Sequence, residues 1–170
     1  MSGPRTLDGL ERVRVSTTRP DNPGALTAVE ADEFVTIECH ILKSDFRLSP
    51  TASDTISDSL LCTVGNAVSY GASNYEGTVS PVRFLDEDGL PDPENDIAWD
   101  LFKQKGTRLW ILVSEGPAHT EAFASGQEYD LYEVVTDSPQ KPSDRAGWIK
   151  RTVPLGVQNA WLNRTIASAG

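Results

Sequence analysis

The fold is decided by residues 74–106. Residues 74–89 read NYEGTVSPVRFLDEDG, and residues 90–106 read LPDPENDIAWDLFKQKG. The first stretch predicts a strand over 76–85, in which Pro81 indicates an edge or bulge position. An Asp-Gly turn at 86–89 follows the strand and leads into a helix. A strand, an acidic turn and one short helix therefore form the centre of the predicted fold.

The second stretch predicts one substantial helix over about 93–105. Asp92 is a favoured N-cap residue, and Pro93 suits the first helical position because its missing N–H needs no partner there. Gly106 predicts the end of the helix, since glycine readily takes the left-handed conformation of a helix stop. The predicted apolar stripe, which should pack on a sheet, consists of Ile97, Leu101 and Phe102.

Short alternating runs surround this helix and predict a mainly β protein. Strands are expected at 10–17, 33–43, 58–71, 76–85, 108–114, 127–136, 146–155 and 160–167. The clearest alternation is in 33–43, where Val35, Ile37, Cys39 and Ile41 should share one face. Residues 18–32 and the polar residues 44–57 are predicted loops, and residues 1–9 are predicted to form a flexible N-terminal segment. We expect a single domain over 1–170, a β-sandwich or barrel flanked by one helix.

Composition limits the possible partners. Net charge is −10, from 25 acidic against 15 basic residues, which argues against direct nucleic-acid binding and against docking on anionic membranes. No apolar run approaches the length of a membrane span, and the N-terminus has no secretory signal, so the cytoplasm is the expected site of synthesis. Cys39 and Cys62 then predict two reduced, buried thiols.

The sequence offers no convincing active site. The acids at 86–89 do not follow a calcium-loop pattern, because Gly89 comes fourth and Pro91 interrupts the loop. His40 and His119 lack the partners that a catalytic triad or a zinc site needs, and no phosphate loop is present. A two-carboxylate glycosidase stays open only because acids are common in the chain. We therefore predict no enzyme activity, no cofactor and no metal site.

Five short motifs occur in a fixed order between about residues 58 and 167, while residues 1–30 match only loosely. The motifs are Leu61–Asn66, Asn74–Gly77, Val82–Asp86, Ala98–Leu101 followed by Lys105–Thr107, and Gly147–Lys150 running through Val153–Leu155. In this order the chain resembles the tail tube (major tail) proteins of long-tailed, non-contractile bacteriophages, particularly those of actinobacterial hosts.

The resemblance implies a structural virion protein in the phage tail, assembled in the host cytoplasm. Six copies would close into a ring by pairing strand edges, and rings would stack into a tube through which the genome passes without specific binding. Implied partners are further copies, the tape measure protein and the tail terminator. Two alternatives remain open: another ring protein of the tail or connector, such as a terminator or head–tail completion protein, and a small-ligand-binding β-barrel.

An acidic lumen would repel the DNA backbone and so favour sliding over sticking. Candidate residues facing the lumen are Thr36 and Glu38 on strand 33–43, and Glu128 and Asp130 on strand 127–136. Alternatively, all four residues face solvent on the outer surface of the protein, where the three acids among them would favour solubility.

Overall fold

The computed structural model describes residues 3–65 and 67–169. Its elements in chain order are β1 (Glu11–Ser16), α1 (Ala28–Asp32), β2 (Val35–Thr36), β3 (Arg47–Thr51), β4 (Thr55–Ile56), β5 (Ser69–Tyr70), β6 (Asn74–Val79), α2 (Ile97–Phe102), β7 (Arg108–Glu115), β8 (Glu128–Thr136) and β9 (Val153–Thr165). The prediction of a mainly β fold with little helix is confirmed. Four residues lie outside the described part of the chain: Met1 and Ser2 of the predicted N-terminal segment, Asn66 of the first motif, and Gly170.

Seven strands form one antiparallel sheet in the order β2-β1-β7-β8-β9-β6-β3, and β4 pairs separately with β5. The central strands β7 and β8 carry long apolar runs because both of their faces are covered. The 13-residue strand β9 replaces the two strands predicted at 146–155 and 160–167. Its pairing with β8 shifts register twice, and such irregularities bend a strand and increase its twist.

The two ends of the curved sheet are joined by residues 37–42. The amide of Ile37 donates to the carbonyl of Val13 at 3.1 Å, which ties this segment to β1. The amide of Leu42 donates to the carbonyl of Ser80 just past β6, at 3.0 Å. The predicted strand at 33–43 is therefore wrong in most of its length, because only Val35–Thr36 pairs as a strand and the chain then turns to bridge the ends. The sheet becomes barrel-like through this connection.

A hydrophobic core lies on each face of the sheet. On the face that α2 covers, here the α2 face, the fully buried side chains include Val15, Ile111, Val134 and Phe102. On the opposite face, here the α1 face, the buried residues are Leu26, Ala31, Phe34, Trp110, Leu112, Phe123, Tyr129, Leu131 and Ile166. The strict alternation of β7 between the two cores explains its continuous apolar sequence.

Helix α2 is shorter than the predicted 93–105 and begins at Ile97. The side chain of Asp92 accepts from the amides of Glu94 and Asn95, at 2.9 and 3.3 Å, so it caps a preceding turn and not the helix itself. Ala98 and Phe102 are fully buried. Leu101 is half-buried and packs against the core of the α2 face, and Ile97 is half-buried. Gly106 follows with a positive φ of 83°, the conformation expected of a helix stop.

Helix α1 lies within residues 18–32, which were predicted as a loop. Thr27 accepts from the amide of Glu30 at 3.3 Å, and Glu30 accepts from the amide of Thr27 at 2.8 Å. This reciprocal pair is a capping box, and it starts a helix of five residues that buries Ala31. The Thr-x-x-Glu signal was present in the sequence and predicts this helix.

The segment between the second and sixth strands also differs from prediction. The predicted loop at 44–57 contains β3, which pairs with β6 over five residues, and β4. In the predicted strand at 58–71, the described residues 58–65 and 67–71 are exposed, and only Ser69–Tyr70 pairs as a strand. Both cysteines are free and exposed, so the prediction of buried thiols is wrong.

Candidate assembly surfaces

The four residues predicted to face a lumen do not share one face of the sheet. Thr36 pairs with Arg14, in a row that continues through Leu112 to Leu131 on the α1 face. Asp130 pairs with Val113, whose side chain packs against the core of the α2 face, and Glu128 follows the same alternation. Thr36 and Glu128 are exposed, while Asp130 is half-buried and accepts from the amide of Asn163 at 2.7 Å.

An acidic strip crosses the end of the α2 face where β1 begins and β7 ends. Its members are Glu11, Glu115, Glu128 and Asp130. Glu11 lies directly opposite Glu115, and the last three border one shallow depression. Burial, and secondly the charge of Glu115, raises the pKa of Glu11 above its ordinary value. Burial, followed by Asp130, raises the pKa of Tyr132 to about 12. The strip therefore concentrates negative charge at one end of the molecule.

An open cavity of about 340 Å³ lies beside this strip, between β1 and residues 38–46. Glu38 lines it, and both oxygens of its carboxylate are buried without a hydrogen-bond partner among the described residues. Cys39 and His119 lie at its edge with Sγ and Nδ1 3.9 Å apart. Glu11 of the acidic strip lines the same cavity, so Glu38 lies near the strip.

Two arginines of β1 are buried on the α1 face, although the alternation of the sequence placed them with the polar residues. Arg12 donates to Ser114 Oγ at 3.0 Å and to Gln127 Oε1 at 2.8 Å, and its guanidinium lies 3.7 Å from the centre of the Phe123 ring. Arg14 pairs with Asp32 at 3.0 Å. Together they fix the loop after β7 over this face.

The most exposed apolar side chains lie in residues 52–73, here called the arm. The base of the arm is closed by hydrogen bonds from the amide of Asp54 to the carbonyl of Ala72, at 2.9 Å, and from Gly71 back to Asp54, at 2.7 Å. Its exposed apolar residues are Ile56, Leu60, Leu61, Val64, Val68 and Tyr70, of which Leu61 and Val64 are fully exposed. The sequence predicts a loop for Ile56 and a strand for the other five.

A second exposed apolar group lies in residues 140–151, here called the basic patch. Trp148 is 73% exposed and Ile149 55%. The carbonyl of Ile149 accepts from the amide of Arg83 at 2.8 Å, which ties the patch to the body of the protein. The same segment contains four bases, Lys141, Arg145, Lys150 and Arg151. No ion pair involves any of these bases within the described residues.

The described residues contain no group of three or more side chains arranged to hold a metal ion. The acids at 86–89 instead form a turn, in which Asp86 Oδ1 accepts from the amides of Asp88 and Leu90 at 3.0 and 2.8 Å. His40 packs its ring against Phe84, 5.2 Å between centres. Within 3–65 and 67–169, neither helix has the length and apolar character to cross a bilayer.

Comparison with known proteins gives one family. The family described as "Phage tail tube protein" matches residues 2–170, nearly the whole chain. No curated protein matches the chain.

Proposed function

Since this chain belongs to the phage tail tube protein family, we propose that six copies close into rings and that the rings stack into a tube for the phage genome. Membership of the family makes the chain a structural component of the virion tail that assembles as an oligomer with other tail proteins. The hexamer, the passage of DNA, and the tape measure protein and tail terminator as specific partners are parts of the proposal. So are a long non-contractile tail, an actinobacterial host and assembly in the host cytoplasm.

The observation that carries the proposal is the exposed apolar arm. Monomeric proteins rarely expose contiguous apolar patches beyond a few hundred Å², and larger ones mark interaction sites. Leu61 and Val64 are fully exposed in the isolated chain, where their apolar surface contributes nothing to the stability of a monomer. A subunit that always ends in a polymer would bury these side chains against its neighbours.

The edge of the sheet supports closure into a ring. Strand β3 pairs only with β6 among the described residues, which leaves its outer edge open. Open edges favour pairing with another chain, and a closed ring removes them. Pro50 in β3 lacks an amide hydrogen, which limits uncontrolled pairing along this edge. We propose that β3 meets a neighbouring copy within the ring.

The acidic strip supports an electrostatic account of the lumen. Six copies at −10 each carry about −60 per ring, and such a surface repels phosphates at short range. We propose that Glu128 and Asp130 face the lumen, and that Glu38, whose carboxylate is buried in the neighbouring cavity, lies at the margin of the lumen. Thr36, on the opposite face by register, is then placed away from the lumen or at a subunit boundary.

The experiment is electron microscopy of tails from the phage that encodes this chain, combined with mass spectrometry of the purified tails. We expect this chain to be the most abundant tail protein and to form the wall of the tube with six copies per ring. A single ring of this chain at one end of the tube would identify a terminator or connector instead. Absence from purified tails would overturn the proposal.

Charge reversal then tests the lumen. Glu128→Lys with Asp130→Lys should permit tube assembly yet slow genome ejection, because lumen cations hold phosphates through counterion release. Glu87→Lys with Glu94→Lys, at two exposed acids before α2, is the matched control for the same added positive charge. Normal ejection by the double variant would show that these acids do not face the DNA.

A further inference from the structure

The arm and the basic patch are complementary in charge as well as in apolar character. The arm contains two acids, Asp54 and Asp58, and no Lys or Arg. The basic patch contains four bases and one acid, Asp144, in a chain whose net charge is −10. Exposed apolar side chains stand among these charges on both surfaces, with Trp148 as the largest. Aromatic anchors ringed by polar groups are typical of interaction hot spots.

The two surfaces lie beyond opposite ends of β6. The arm ends at Ser73, immediately before β6 begins at Asn74. The basic patch attaches beyond the other end of β6, where Val82 pairs with Lys150. Residues 74–82 would span roughly 25 Å if extended. The base of the arm and the basic patch therefore attach at opposite ends of β6, and the apolar residues of the arm are exposed in the isolated chain.

We propose that the arm of one copy docks on the basic patch of the next copy, so that the stacked copies meet head to tail. The inference rests on the proposed tube and names the two surfaces through which successive copies meet. The contact is heterologous, since different surfaces of the two copies meet, and a heterologous contact that does not close extends into a filament. The arm would bury Leu61 and Val64 against Trp148 and Ile149, and its acids would lie near the four bases.

A mixing experiment separates this geometry from a symmetric contact between two arms. Leu61→Glu with Val64→Glu disables the arm, and Trp148→Ala with Ile149→Ser disables the basic patch. Each variant alone should self-associate about tenfold more weakly than the unaltered chain, or worse, in sedimentation velocity. A 1:1 mixture of the separately purified variants should regain the arm–patch association that each variant lacks, because one competent arm and one competent patch are then present. That contact should join two copies, or two rings where β3 has already closed the copies into rings, and should not extend further.

Cross-linking supplies a second readout that does not depend on stable assembly. Cys62 already lies in the arm, and the chain's other cysteine is removed by Cys39→Ser. In that background, Ile149→Cys treated with diamide as the two-electron oxidant should give a disulfide between Cys62 and position 149 of different chains, identified by mass spectrometry. Ser125→Cys, at an exposed site in the loop of the α1 face, is the matched control and should give several-fold less dimer.

The outcomes distinguish this inference from the proposed tube. Tubes that contain this chain but yield no disulfide with position 149 would overturn the docking and leave the tube intact. A specific disulfide and a heterodimer, with no tube formed by this chain in the phage, would support the docking and overturn the tube. Self-association of the patch variant at the level of the unaltered chain would also overturn the docking.

Discussion

Asp96→Ala tests the contact that holds α2 on the sheet. The Asp96 carboxylate is 2% exposed and accepts from Arg83 Nε at 3.0 Å and from the amide of Phe84 at 2.9 Å. A second guanidinium nitrogen of Arg83 lies 2.9 Å from the same carboxylate, and the guanidinium also lies 4.7 Å from the ring centre of Trp99. The pair therefore connects the strand-like segment after β6 to the first turn of α2.

Removing the carboxylate leaves a charge and a backbone donor without partners in a buried place. Breaking a buried pair by deleting one partner costs about 3–5 kcal/mol, and the orphaned amide of Phe84 contributes within that range. For a chain of this size each kcal/mol lowers Tm by about 2–4 °C. Asp96→Ala should therefore lower Tm by roughly 6–20 °C, the product of a cost of about 3–5 kcal/mol and a fall of about 2–4 °C for each kcal/mol.

The matched control is Asp100→Ala, on the next turn of the same helix. Asp100 pairs with Lys103 at 2.6 Å, but the two side chains are 57% and 42% exposed. An exposed pair contributes about 0–1 kcal/mol, so Tm should hardly change. Urea unfolding followed by Trp fluorescence and by circular dichroism measures both variants. An Asp96→Ala cost no larger than that of Asp100→Ala would refute this account of how α2 is held.

Three further changes test other parts of the fold. Gly77→Ala should destabilise by about 1–3 kcal/mol in urea unfolding, because its added Cβ would lie 2.9 Å from the Cβ of Leu155. Thr27→Ala should cost about 0.5–2 kcal/mol in the same assay by breaking the capping box with Glu30. Glu11→Gln should raise Tm at pH 7: folding raises the pKa of this carboxyl, so its charge opposes folding above that pKa. The gain should vanish as the pH falls below the ordinary pKa of glutamate; an equal gain at pH 4 and 7 would contradict it.

The sequence predicts best the strands that lie between two cores. β7 and β8 are found within one residue of the predicted 108–114 and 127–136, because apolar residues on both faces leave few alternatives. β1 is also placed correctly, yet the role of its polar face is missed. Arg12 and Arg14 alternate with valines as surface residues would, but Phe123 arrives from a loop more than 100 residues away to cover them. The alternation of residues within β1 contains no information on a residue from a distant part of the sequence that packs over its side chains.

The failure at residues 33–43 has a different cause. Alternation reports which side chains are apolar, not whether a neighbouring strand is available for the whole length of the run. Here Val35 and Thr36 pair with β1, and the following residues turn to link β1 with the segment after β6. A connection between the ends of a curved sheet depends on the final topology, which a window of eleven residues cannot contain.

The arm shows why the candidate surfaces were the least predictable part of this protein. Residues 58–71 are a predicted strand, and apolar side chains are normally buried within their own chain, but most of this segment is exposed. In a subunit of a polymer, an apolar side chain is buried either in the core of its own chain or in the interface with a neighbouring chain. Composition does not distinguish core residues from interface residues. The charges narrow the choice: the arm combines exposed apolar residues with two acids and no base. Asp58 lies within the predicted strand and would be costly to bury in a core, whereas the proposed contact with the basic patch would give both acids of the arm partners of opposite charge.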